Sequence, residues 1–135
     1  MLTPHPLEAA RLLGTSASQI QDDRLQAARA LADRFKAVVV LKGSGTVISA
    51  SSGRLVINPT GNPSLATAGT GDVLAGLCGS LLAQQWPAWE AALGSVWLHG
   101  AAADRMVTEG LGPRGITAGE LLPYVRLALN QLAAI

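Results

Sequence analysis

Asp72 stands directly behind Gly69-Thr70-Gly71 and directly ahead of the apolar run VLAGLCGSLLA. Glycines let backbone N–H groups crowd toward an anion without obstruction by Cβ. The start of a helix adds unpaired N–H groups and a favourable dipole. A phosphate over residues 69–72 would bring Asp72 close to the reacting group, where a carboxylate accepts the proton of an attacking hydroxyl. The local pattern leaves a second reading open, because aspartate is a good N-cap and glycine turns precede many helices that bind nothing. The stretch is not a P-loop, since no Gly-Lys-Ser/Thr follows. Nor is it a dinucleotide fingerprint, since no strand runs straight into the glycines.

Other residues carry weaker signals. Lys42 closes the apolar run VVVL, and its ammonium could reach a phosphate as a point charge or snorkel at a strand end. Gly43, Ser44, Gly45 and Thr46 follow it and suit either a nucleotide-contacting turn or a plain hairpin. His5 lies between two prolines that stiffen its backbone. Asn58 and Asn62 offer side-chain oxygens to phosphate or Mg²⁺, but turn formation is the commoner use of asparagine. His99 and Asp104 fall in a long helical stretch, where the spacing of His99 suits a core position. Trp86, Trp89 and Trp97 read as packing.

The elements that must hold these residues are legible from pattern. TPHPLEAARLLG predicts a short helix entered through prolines and stopped by Gly14. Residues 15–21 read as connection. DDRLQAARALADRF predicts an amphipathic helix, capped by Asp22 and Asp23, with Leu25, Ala28, Leu31, Ala32 and Phe35 on its buried face. The run at 37–43 predicts a strand buried on both sides. TVISA and RLVIN flank Ser-Ser-Gly, a hairpin signal. Residues 72–85 predict a helix, a longer helix follows Pro87, and TAGE at 117–120 is a capping box that opens a last one. The sum is an α/β fold with about three strands and several helices. Strand 37–42 has no preceding strand, so one of its edges is expected to lack a partner within the chain.

The 135 residues are 49% hydrophobic and 14% charged, which supports a real core. A net charge of +1 gives no field for nucleic acid or an anionic membrane surface. No apolar run is long enough to span a bilayer, and no basic leader is visible. Cys78 is the single cysteine, which fits a reducing cytoplasm.

Three ordered segments carry a resemblance. NPTGNPSLATAGTGDVLAG, LTPHPLEAARLLG and VVVLKGSGTVI resemble the signature stretches of the ribokinase-like NAD(P)H-hydrate dehydratases, of the YjeF C-terminal-domain type. The match runs over essentially the whole chain and resembles the C-terminal half of that family's three-layer domain. It implies one partial ribokinase-like domain over residues 1–135 and an N-terminal half supplied elsewhere. The implied activity is repair of hydrated NADH or NADPH, driven by ADP or ATP with Mg²⁺, through phosphoryl transfer to the hydrate's hydroxyl and loss of phosphate. By the same resemblance Asp72 is the base and contacts the hydrate, together with His5. Gly69, Thr70 and Gly71 form the anion hole. Lys42, Gly43, Ser44, Gly45, Thr46 and Gly71 contact the nucleotide. The chain departs from the family at Leu7 and Ala68, where glycine is usual. A small-molecule kinase of the same superfamily is the alternative enzyme, and an inactive nucleotide-binding or self-associating piece is the alternative without catalysis. The open strand edge leads to the expectation of a homo-oligomer or of association with the missing half.

Overall fold

The computed structural model describes residues 1–134. It is an α/β structure whose chain divides into two compact units, residues 1–59 with 87–93, and residues 60–86 with 94–134.

The first unit begins with three helices, α1 (Pro6–Leu13), α2 (Ala17–Asp22) and α3 (Arg24–Phe35). His5 and Ser16 each cap a helix through a capping box, closed by Glu8 and Gln19. The segment expected as connection is therefore helical, and Ser16-x-x-Gln19 was its signal. Of the two aspartates, Asp23 alone caps α3, accepting from Gln26 N at 2.9 Å, while Asp22 ends α2. The buried face of α3 is Ala27, Ala28, Leu31 and Ala32. Ala28, Leu31 and Ala32 are buried as the spacing predicts, while Leu25 and Phe35 point outward at 42% and 40% exposure and Ala27 joins the buried face instead. These alanines let α3 lie close on β1 and β2.

Strands β1 (Val39–Leu41), β2 (Val47–Ser49) and β3 (Leu55–Ile57) form an antiparallel sheet in the order β1-β2-β3, with Val39 opposite Ser49 and Val47 opposite Ile57. All three residues of β1 are fully buried, as the continuous apolar run predicts. Its outer edge is not open, which corrects the expectation of an unpaired strand. Leu2 forms a parallel bridge with Val39. Leu2 N donates to Val38 O at 2.9 Å, Val40 N to Leu2 O at 2.8 Å and Lys42 N to Pro4 O at 2.9 Å. The segment is too short for periodicity and interrupted by prolines, so nothing in its composition marks it as a ladder partner.

In the second unit a 3₁₀ turn (Pro63–Ala66) leads into α4 (Thr70–Ala83). Helix α5 (Ala88–Thr108) starts in the first unit and continues in the second. A 3₁₀ turn at Ala118–Glu120, boxed by Thr117 and Glu120, opens α6 (Leu121–Ala133) as TAGE predicts. The core of this unit joins Leu98, Ala102, Ala103 and Met106 of α5 to Ile116, Leu121 and Val125. Trp89 is buried, with the Arg54 guanidinium 4.7 Å over its ring. Trp86 and Trp97 are exposed at 42% and 39%, so two of the three tryptophans are not core residues. No described helix is long and apolar enough to cross a membrane.

Candidate functional site

In the first unit, β1 delivers Lys42 to a glycine-containing turn over residues 42–46. Arg24 holds that turn from the start of α3. Its Nη1 donates to Ser44 O at 2.5 Å and its Nη2 to Leu41 O at 3.1 Å. Gly43 has φ +151°, a conformation that favours glycine, and a Cβ there would sit 2.7 Å from Arg24 Nη2, so a side chain at 43 would displace the guanidinium from the turn. Thr46 Oγ1 donates to Gly43 O at 3.1 Å, and Asn58 N to Thr46 O at 2.9 Å. Partial burial lowers the pKa of Arg24 from the usual arginine value. Sequence reasoning missed Arg24, because a contact across twenty residues has no local signature.

Lys42, Glu8 and His5 come together in this unit. Lys42 Nζ lies 3.8 Å from Glu8 Oε2, and His5 Nε2 lies 3.4 Å from Glu8 Oε1. Glu8 accepts from His5 N at 2.7 Å, and His5 Nδ1 accepts from Glu8 N at 3.1 Å. The imidazole proton therefore belongs on Nε2, facing the carboxylate. The His5 N–H bond, aided by the nearby charges of Lys42 and Arg11, holds the Glu8 carboxyl below its ordinary value of 4.5 against the opposing effect of burial. Glu8 was missed although His5-x-x-Glu8 has capping-box spacing. Leu7, in the same first turn, is 49% exposed.

The second unit carries Gly69, Thr70, Gly71 and Asp72. Gly69 is the N-cap of α4, with φ +87°, and no side chain caps the helix there. Asp72 is the third helical residue and is exposed, which removes the reading of it as the cap. Thr70 N donates to Thr67 O at 3.3 Å, while Asp72 N and Val73 N donate to Gly69 O at 3.1 Å. The Thr70 hydroxyl, buried, is held by Leu65 O at 2.6 Å and Thr67 O at 2.8 Å. That hydroxyl fixes the turn. Ala68 is not among the positive-φ residues, so its methyl is accommodated where glycine would be usual.

Asn62, a candidate ligand by type, is already engaged. Its Oδ1 accepts from Ser64 N at 3.1 Å and from Ser64 Oγ at 2.6 Å, and its Nδ2 donates to Asp104 Oδ1 at 2.9 Å. Asn58 and His99 are buried. Cys78 is buried in α4, and burial pushes its thiol up. Among the described residues no group of three or more His, Cys, Asp or Glu side chains is placed to hold a metal ion.

A family model described as NAD(P)H-hydrate dehydratase matches residues 1–124. The chain is 50% identical over 133 residues to the ADP-dependent (S)-NAD(P)H-hydrate dehydratase of Neisseria meningitidis, covering 98% of this chain and 45% of the relative. The crystal structure of the ADP/ATP-dependent NAD(P)H-hydrate dehydratase of Bacillus subtilis, co-crystallised with ATP/Mg²⁺, superposes with a TM-score of 0.90 at 35% identity, over 96% of this chain and 47% of that one. A ribokinase-like superfamily protein of Enterococcus faecalis superposes with a TM-score of 0.82 at 28% identity, over 96% and 44%. The chain thus spans about half the length of the relatives it matches here.

Proposed function

Because the chain belongs to the NAD(P)H-hydrate dehydratase family, we propose that it provides the phosphoryl-transfer end of a site that removes water from hydrated NADH or NADPH at the expense of ADP or ATP. One observation carries this reading: a carboxylate, Asp72, stands exposed one residue behind Gly71 at the start of a fourteen-residue helix whose cap is a left-handed glycine. Asp72 takes the proton of the hydrate's hydroxyl as its oxygen forms a bond to the terminal phosphorus, and the nucleotide leaves one phosphate shorter. The carbon–oxygen bond then breaks, releasing inorganic phosphate. The neighbouring ring carbon gives up a proton to solvent, and its C–H electron pair restores the double bond of the dihydronicotinamide.

The dipole at the start of α4, with the backbone N–H groups of Gly69 and Gly71, favours the transferring phosphoryl group. Lys42 and the turn Gly43-Ser44-Gly45-Thr46 are assigned to the nucleotide, and His5 to the hydrate. Mg²⁺ would be carried by the nucleotide's phosphates, where it would neutralise charge, since no cluster of acidic side chains among the described residues is placed to hold it. The test is turnover: hydrated NADH mixed with ADP or ATP and Mg²⁺ should return to NADH in the presence of the chain, and Asp72→Asn should slow it.

This reading includes a cytoplasmic setting and association with a second copy or a second polypeptide. With the β1 edge covered by residues 2–4, the support for association moves to β3, where Val56 and Ile57 are 40% and 53% exposed on the last strand of the sheet.

A further inference from the structure

Asp104 sits half-buried on α5, outside every motif that the sequence singles out for chemistry. Its carboxylate receives two bonds from the loop that precedes the glycine turn: Gly61 N to Oδ2 at 2.8 Å and Asn62 Nδ2 to Oδ1 at 2.9 Å. Asn62 in turn caps the 3₁₀ turn through Ser64, as described above. The carbonyls of Leu65 and Thr67, within and just after that turn, accept from the Thr70 hydroxyl at the first residue of α4. The loop is seated on α5 a second time, because Thr60 Oγ1 donates to Trp97 O at 3.1 Å and a Cβ on Gly100 would lie 2.8 Å from Thr60 Cβ.

We propose that Asp104 is a positioning residue that sets the glycine turn and Asp72 through a relay from Asp104 to Asn62 and Ser64, then along the 3₁₀ turn, where Thr67 N donates to Ser64 O at 3.2 Å, to the Leu65 and Thr67 carbonyls that hold Thr70. A carboxylate is suited to this place because it only accepts, and both groups facing it are donors. The relay passes through one asparagine whose amide has both ends engaged, so its orientation follows from its neighbours. The inference rests on the reading of Asp72 as the base, but the geometry of the relay is testable without it.

The test exchanges the two partners. Asp104→Asn leaves one acceptor for two donors, so its NH₂ is set against either Asn62 Nδ2 or Gly61 N–H, and Asn62→Asp sets one carboxylate against another. The double variant Asn62→Asp/Asp104→Asn restores every donor–acceptor match. The amide now at position 104 accepts from Gly61 N and donates to the carboxylate now at position 62, which accepts from Ser64. Backbone amide resonances of Gly69–Asp72 should move in each single variant and return in the exchange. Turnover of hydrated NADH should fall about 100-fold in the single variants, the scale of a small misplacement of a reacting group, with the KM for ADP changing less. It should recover in the exchange. Amides 69–72 that stay in place in a folded Asp104→Asn, or that fail to return in a folded exchange, overturn the proposal. If either single variant does not fold, Ser64→Ala, which removes the Oγ bond to Asn62, must move the same amides. If the parent chain shows no turnover, either alone or with a polypeptide that carries the remainder of the relative, the proposed function fails, and the resonances still decide the relay.

Discussion

Asp72 is an exposed carboxylate at the third position of α4, and Gly69 rather than Asp72 caps the helix. Asp72→Asn keeps size and polarity while removing the base. Turnover is expected to fall about 10²–10⁴-fold, the usual range for a lost general base, while ADP affinity by calorimetry changes little. A folded Asp72→Asn with unchanged turnover contradicts the assignment. Lys42→Ala should weaken ADP binding without unfolding the chain, since the residue ends a strand and its ion pair with Glu8 is long at 3.8 Å. Unchanged ADP affinity removes Lys42 from the site. Glu8 supplies a pH test. Its folded pKa lies below 4.5, so its contribution to α1 is complete above the unfolded value and is lost as pH falls through the folded one. Solvent screens this half-exposed group, so the effect is local. Hydrogen exchange should show the α1 amides loosening at acid pH, and Glu8→Gln should lose that step. Identical acid profiles for the two proteins contradict it.

The elements owe their precision to side chains that bond to distant backbone. Thr70 is the clearest case: its hydroxyl serves two carbonyls from a buried position. Thr70→Val keeps the shape and removes the donor, and should destabilise the fold by about 1–3 kcal/mol, the range for leaving buried polar groups unsatisfied. Urea unfolding reads this directly, and no loss of stability contradicts the staple. Helix starts and the buried strand were legible because they obey local rules. TPHPLE, TAGE and VVVL each state their structure within a few residues. Asp72 was legible as a site candidate for the same reason, since Gly-Thr-Gly-Asp is contiguous. What was not legible depends on separation along the chain. Arg24 reaches Ser44, Asp104 reaches Asn62, and Leu2 pairs with Val39, and none of these is encoded near either partner. The missed helix α2 is different, because its capping box was present but its run of six residues is too short for periodicity to count. The exposed Leu25 and Phe35 show the converse: helical spacing fixes a stripe, and small alanines beside it can win the buried side when a helix must approach a sheet closely.

For the whole molecule, association is the first consequence. The exposed β3 edge carries apolar residues without the lysine or proline that usually blunts such an edge. Sedimentation at micromolar concentration should show a species larger than one chain, and Val56→Lys/Ile57→Lys should return it to the monomer. A well-folded, purely monomeric parent chain contradicts this. The second consequence is activity. The chain covers 45% of the Neisseria meningitidis relative, so it should be assayed alone and with a second polypeptide that carries the remainder of that relative. The deciding measurement follows the near-ultraviolet absorbance of NADH as hydrated NADH is mixed with the protein, Mg²⁺, and ADP or ATP. The account predicts recovery of NADH that requires nucleotide and is slowed at least about 100-fold by Asp72→Asn. Recovery without nucleotide, recovery at equal rates in the two proteins, or no recovery in either arrangement by folded protein that binds ADP would contradict it.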